Sequence, residues 1–167
     1  MERRALRCLR WGIFFTFIDF RIGQWNLLPE FVGMLLFYGS IRSHKEPAPG
    51  EERVAPLFLV LAADGFLHWI WRFENSVEAL VALAVSLYAL YVLLGEVAGR
   101  IRPGQPDRAA GLEVLRVCAV VLQCAVFLVS PFELQWLNSL LTVSVVAVCI
   151  ALLVAVCRIR PEEDMQG

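Results

Sequence analysis

With 167 residues the chain is long enough for one domain, and 59% of these residues are hydrophobic, with a mean hydropathy of +0.65. An ordinary soluble domain is about 45–50% apolar, and the uncharged run 134–157 has no polar face to offer to water, which argues against a soluble helical bundle. The net charge is −1, and nothing in the sequence supports nucleic-acid binding.

The apolar runs predict an all-α integral membrane bundle of six helices, over residues 5–20, 27–41, 54–71, 77–97, 112–129 and 131–157. The last four helices have the ~17–25 residues that are needed to cross the hydrocarbon layer. The first two are shorter, so this pair either crosses the membrane or forms a re-entrant hairpin.

The connections between these helices alternate in length. Short turns follow the first, third and fifth helices, whereas polar linkers at 42–53 and 98–111 follow the second and fourth, and a polar tail at 158–167 ends the chain. We therefore predict a single transmembrane domain, 1–167, made of three helical hairpins. Their ranges are 5–41, 54–97 and 112–157.

Three turns carry signals for the start of a helix. Residues 130–133 (Ser-Pro-Phe-Glu) match a capping box with proline at the first helical position. Asn75 begins an asparagine version of the same pattern, and Asn26 is a third candidate N-cap. All three sequences predict a sharp turn followed by re-entry into the membrane.

The basic residues predict the orientation of the chain. Of the 15 Lys and Arg residues, 13 fall on the side that holds both termini and the polar linkers, and only Arg21 and Arg72 fall on the other side. The 13 are Arg3, Arg4, Arg7, Arg10, Arg42, Lys45, Arg53, Arg100, Arg102, Arg108, Arg116, Arg158 and Arg160. By the positive-inside rule, both termini are predicted to be cytoplasmic.

Asp64 is a carboxylate near the middle of the predicted third helix, and His68 follows on the same helical face. A carboxylate at that depth costs on the order of 3 kcal/mol, so it should face the bundle interior or a polar cavity. One interpretation is a proton- or ligand-binding pair. The other is an interhelical hydrogen-bond clamp, with Ser86 or Gln123 as the partner.

The outer turns hold a second group of polar and aromatic residues. Its acids are Asp19, Glu30, Glu74, Glu78 and Glu133, and Trp69 is one of four tryptophans near them. Such a group predicts an outward pocket for a small cationic or aromatic ligand. Alternatively, the acids cap helices and pair with the two outer arginines, while the tryptophans anchor the interface.

No catalytic or metal-binding motif is present, so we predict no enzyme activity, no cofactor and no metal site. The five cysteines form no C-x-x-C pair and are interpreted as buried, reduced side chains.

The segment 19–34, with Asp19, Ile22-Gly23 and Leu28-Pro29-Glu30-Phe31-Val32-Gly33, resembles a motif of small multi-pass membrane proteins from clostridial-type Gram-positive bacteria. In that family an aspartate is usual where Glu30 stands, and a tyrosine where Met34 stands. The family is functionally uncharacterised. The resemblance implies a protein of the bacterial inner membrane and no particular activity.

Two hypotheses about function follow. The first is a small-molecule carrier or substrate-binding membrane subunit, with candidate binding residues Asp64, His68, Asp19, Glu30 and Trp69. The second is a structural or regulatory membrane subunit without a substrate, in which polar residues only hold helices together. In either case the partners are the lipid bilayer and a second membrane protein or a second copy of the chain.

Overall fold

The computed structural model describes residues 2–17, 21–22, 25–26, 30–71, 76–129, 132 and 135–159. These residues contain six α-helices: α1 (Arg3–Phe17), α2 (Glu30–Arg42), α3 (Pro49–Trp71), α4 (Ser76–Ile101), α5 (Pro106–Val129) and α6 (Gln135–Cys157). Between α1 and α2, the two-residue strands β1 (Arg21–Ile22) and β2 (Trp25–Asn26) pair in antiparallel register. The prediction of an all-α bundle of six helices is confirmed.

Four of the helices are long and apolar enough to cross a membrane, namely α3, α4, α5 and α6. The chain is therefore a multi-pass membrane protein. Helix α1 has 15 residues and α2 has 13, which is about 20 Å of helix each at 1.5 Å per residue. The described parts of both helices are shorter than a full crossing, and whether they span the membrane stays a prediction.

Helices α3, α4 and α5 extend further into the charged segments than predicted. Helix α3 begins at Pro49, and the connection from α4 to α5 is only the four residues 102–105, so the predicted linker 98–111 is largely helical and the linker 42–53 is half helical. The reason lies in the first turn of α3, where proline takes the first helical position and Glu51 Oε2 accepts a 2.8 Å hydrogen bond from the Ala48 backbone N–H. Hydropathy alone assigned these residues to linkers, because it scores charged residues as polar although many of them are good helix formers.

Asn26 lies in β2, opposite Arg21 in the antiparallel ladder, and the described part of α2 begins at Glu30. Residues 27–29 lie outside the described residues, so the predicted helix start at Asn26 stays a prediction. Of the other two predicted starts, Asn75 and most of 130–133 lie outside the described residues.

The helices form a closed ring, because each packs against its neighbours in the chain and α6 packs against α1. We call the end of the bundle that holds the start of α1 and the end of α6 the basic end, and the opposite end the far end. At the basic end Arg10 fastens α1 to α6. Its guanidinium donates to the backbone carbonyls of Val156 (3.3 Å), Cys157 (3.1 Å) and Ile159 (3.2 Å).

Packing is tight at the basic end and loose at the far end. The buried core includes Leu9 of α1, Phe37 of α2, Phe58 of α3 and Leu93 of α4, all in or near the basic half. In contrast, none of the described side chains in 63–70, 77–88, 113–129 and 135–148 is buried.

Glycines let α1 and α2 approach each other closely. A methyl group on Gly33 would overlap Thr16 Oγ1 and lie 3.1 Å from the Gly12 carbonyl oxygen, so only a hydrogen side chain fits at this crossing. Near the other end of α2, the buried Ser40 hydroxyl donates a 2.9 Å hydrogen bond to the Ala5 carbonyl. Small residues and interhelical hydrogen bonds of this kind hold helices together in lipid.

Candidate functional site

Asp64 lies beyond the middle of α3, near which the sequence analysis placed it. Because α3 begins at Pro49 and not at 54, the middle of the helix shifts toward its start, and Asp64 is about 10 Å from the far end. Its side chain is 31% exposed, so it is not sealed in a dry helix contact. The next residue, Gly65, allows α2 to come close, since a methyl group there would be 3.3 Å from Phe31 Cβ.

His68 contacts Asp64 one turn along the helix and also reaches the next helix. Its Nδ1 is 3.6 Å from Asp64 Oδ1 and 3.1 Å from the Asp64 carbonyl oxygen, and its Nε2 is 3.9 Å from Glu78 Oε2 on α4. The ligand atoms of these three residues lie within 4.8 Å of one another. This spacing suits a shared proton or a cation, although acids at a helix start commonly serve as caps.

The other predicted site residues do not join this group in the described structure. Asp19 lies outside the described residues, and so does the Glu30 side chain. Trp69 instead belongs to an aromatic cluster, with its ring centroid 6.1 Å from that of Phe31 and 6.5 Å from that of Phe66. The predicted convergence of Asp19 and Glu30 with Asp64 and His68 therefore stays a prediction.

A cavity of about 480 Å³ lies elsewhere, between α1, α4, α5 and α6. Its walls are mainly aliphatic, with Leu83 at one end on α4 and Leu94 at the other. Its side chains with polar atoms are Thr16, Ser86, Tyr91, Arg116, Gln123 and Cys149. Ser86 and Gln123, which the sequence offered as partners of Asp64, thus line this cavity instead. None of the five predicted site residues lines it.

Arg116 is the one charged side chain among the residues that line the cavity. It is about 15 Å along α5 from Pro106, and α5 is one of the four helices long and apolar enough to span a membrane, so Arg116 lies within a candidate span. Its Nη1 donates a 3.2 Å hydrogen bond to the Tyr91 carbonyl oxygen, and its Cζ is 4.4 Å from the Tyr91 ring centroid. Its Nε is buried without a hydrogen-bond partner.

From the sequence, Arg116 counts among the basic residues of the cytoplasmic side and is not a site candidate. It already lies inside the predicted helix 112–129, and because α5 begins six residues earlier, at Pro106, it is further from the helix start than predicted. Two sequence signals could have found it. Pro106 is suited to the first position of a helix, and an arginine within an apolar segment is a functional candidate by default.

The basic end holds a separate buried polar cluster around Glu51, whose side chain is fully buried. Arg100 donates to both of its carboxylate oxygens, through Nη2 at 2.7 Å and Nε at 3.3 Å. His44 Nδ1 lies 3.1 Å from Oε1, at ion-pair distance but without hydrogen-bond geometry. This cluster fastens the α2–α3 connection to the end of α4, and we call it the basic-end clamp.

Comparison with known proteins adds no assignment: no family model matches the sequence, and neither a curated protein nor a solved structure matches it. Function must therefore be argued from the cavity and the polar clusters.

Proposed function

We propose that this protein is a small-molecule carrier or substrate-binding subunit of a membrane complex, and that its ligand binds in the cavity between α1, α4, α5 and α6. The observation that carries the proposal is the cavity itself. Its volume of about 480 Å³ is within the range of small-molecule sites, and its apolar walls with a few polar groups fit the usual composition of such sites.

The packing of the bundle supports a carrier in particular. Leu90 and Leu94 of α4 and Leu152 of α6 are buried in the core and also line the cavity, so the packed half of the bundle forms its floor. Below this floor the bundle is fastened by the basic-end clamp and by Arg10. Above it, no described side chain in 63–70, 77–88, 113–129 and 135–148 is buried. A bundle that is closed at one end and loose at the other resembles a carrier open to one side of the membrane.

Asp64 and His68 keep a proposed role as a ligand- or proton-binding group, with Glu78 as a third member. In this proposal they form a second site, separate from the cavity, since none of the three lines it. A titratable group inside a membrane helix is the usual component of a proton relay in transporters.

The proposal also includes location and partners. The excess of basic residues at one end of the bundle supports a cytoplasmic location for both termini, and the motif around Leu28-Pro29 supports the bacterial inner membrane. A partner subunit or second copy would cover the exposed apolar surfaces of α5 and α6, where few residues are buried.

A thermal-shift screen of the purified protein against small anionic, cationic and aromatic metabolites tests the proposal. We expect a ligand that stabilises the wild type but not Ala119→Trp, in which an indole fills the cavity. Uptake of that ligand into proteoliposomes would then separate a carrier from a binding subunit. If every ligand fails to stabilise the wild type, the structural or regulatory subunit becomes the better account.

A further inference from the structure

We propose that the cavity binds an acyl-chain carboxylate, with its carboxylate on Arg116 and its chain along the aliphatic walls toward the far end. The inference rests on the proposed function, in that it takes the cavity to be the binding site, and adds the chemical class of the ligand.

The head group follows from the unsatisfied hydrogen-bonding capacity of Arg116. A guanidinium has five N–H donors, and among the described residues it donates one hydrogen bond, to the Tyr91 carbonyl. No described carboxylate forms an ion pair with it, because the nearby Glu113 pairs with Arg102 instead. A cation within a membrane-spanning segment normally pairs with an anion, and the planar guanidinium fits a carboxylate through two parallel hydrogen bonds.

The single positive charge on the cavity wall favours a head group with a single negative charge. Arg116 is the one charged side chain among the lining residues, so a carboxylate is neutralised, whereas a phosphate monoester brings nearly two negative charges at pH 7. The same arginine disfavours the cationic ligand that the outer acids suggested, because like charges repel in a low-dielectric site.

The tail follows from the shape and the walls of the cavity. On α4 the cavity extends from Leu83 to Leu94, which is about 16 Å along the helix. Arg116 faces its basic-end half, beside Tyr91, and mainly aliphatic residues continue toward the far end. Val146 and Ile150 line the cavity and are 51% and 58% exposed, so this wall is also part of the outer surface of the bundle. An apolar chain can therefore enter from the lipid.

Gly95 provides the space that Arg116 occupies. A methyl group on Gly95 would overlap Arg116 Nη1, whereas one on Gly99 would have nothing within 4 Å. The two glycines form a Gly-x-x-x-Gly pair, a pattern that packs membrane helices closely. Here Gly95 accommodates a guanidinium instead. Substitution of Gly95 by alanine moves the charge without removing it, and the same substitution at Gly99 is a matched control.

The test uses the full chain in nanodiscs of phosphatidylcholine and measures saturable binding of radiolabelled dodecanoate, with empty nanodiscs as the blank. Arg116→Gln should weaken binding about ten- to a hundredfold, the range expected for a lost charge-assisted hydrogen bond. Arg116→Lys should be intermediate, because it keeps the charge but not the planar fork. Gly95→Ala should weaken binding, whereas Gly99→Ala should bind like the wild type.

Competition defines the ligand class. Unlabelled dodecanoate should compete better than dodecanol, dodecyl phosphate or dodecyltrimethylammonium, and acetate should not compete. Size-exclusion profiles and thermal unfolding show whether each variant is folded. If Arg116→Gln does not fold, binding of dodecanoate to Arg116→Lys and Gly95→Ala still tests the role of the guanidinium.

The outcomes separate the ligand class from the binding site. If dodecanol or dodecyltrimethylammonium competes as well as dodecanoate, and Arg116→Gln binds normally while Ala119→Trp does not, the carboxylate inference is overturned and the cavity remains a binding site. If no saturable dodecanoate binding exceeds the blank, the inference is likewise overturned. The metabolite screen then decides the proposed function independently.

Discussion

Arg116 of α5 lies against Tyr91 of α4, with its Cζ 4.4 Å from the ring centroid and its Nη1 donating to the Tyr91 carbonyl oxygen at 3.2 Å. A cation–π contact stabilises by about 1 kcal/mol, whereas an arginine within a membrane span costs up to about 3 kcal/mol on insertion scales. The contact therefore does not offset the cost of placing Arg116 in the membrane. A charged residue that is retained at a net cost in stability is expected where it has a function.

The first prediction is that Arg116→Leu inserts into the membrane at least as well as the wild type and is no less stable. A glycosylation-based insertion assay and unfolding in mixed micelles measure the two quantities. Leu90→Arg, which introduces an arginine at a buried position of the same cavity, serves as the opposite control and should insert poorly. A clear loss of stability in Arg116→Leu would assign Arg116 a structural role.

The second prediction concerns the basic-end clamp. Glu51→Ala leaves the Arg100 guanidinium without its carboxylate partner, and breaking a buried ion pair in this way costs about 3 kcal/mol. Glu52→Ala removes an exposed carboxylate from the same helical turn and should change stability by less than about 0.5 kcal/mol. Equilibrium unfolding of the two variants provides the comparison. Equal effects would show that the clamp does not stabilise the bundle.

The third prediction compares two glycine-to-alanine changes. At Gly33 the added methyl group meets Thr16 and the Gly12 carbonyl at the α1–α2 crossing, so we expect destabilisation of about 1–3 kcal/mol. At Gly111, in α5, no atom lies within 4 Å of the added methyl group, and the gain in helix propensity should stabilise by about 0.5–1 kcal/mol. The two changes should thus shift the thermal midpoint in opposite directions. A stabilising effect of Gly33→Ala would contradict the close crossing.

The fourth prediction tests the Asp64 group. Asp64→Leu should leave the protein inserted but abolish its thermal stabilisation by cationic or aromatic ligands, since the contact with His68 is lost. A ligand at a hundred times its Kd stabilises a protein by about 2.7 kcal/mol, which such an assay resolves. The control is Ala63→Leu, which changes the exposed residue next to Asp64 in the chain. Dodecanoate binding should not change, because Asp64 does not line the cavity. An undiminished ligand shift in Asp64→Leu would remove the proposed role.

The fifth prediction concerns orientation. In a background without native cysteines, Phe132→Cys at the far end should react with an impermeant maleimide in intact cells. Pro103→Cys, in the turn between α4 and α5 at the basic end, should react only after permeabilisation. Both side chains are exposed, so accessibility within the protein does not bias the comparison. The reverse labelling pattern would contradict the positive-inside assignment.

The sequence by itself determined the class of the protein and the order of its helices. Long apolar runs predict helices in lipid, because each backbone group must find its hydrogen-bond partner within the same segment. The four-residue spacing of Asp64 and His68 likewise places them on one face, because that spacing is about one helical turn. The helix ends were less predictable from hydropathy. Glu51 and Arg116 are charged residues that the tertiary structure accommodates inside the bundle.

Only the tertiary structure decided which helix faces meet. It brought Glu78 from α4 to His68, formed the cavity between α1 and the three last helices, and placed Arg116 on its wall beside Tyr91. These relationships depend on how six helices pack into a ring, which is set by side-chain volumes and close approaches such as Gly33 on Gly12. Apolar periodicity describes one helix at a time and contains no information about its neighbours.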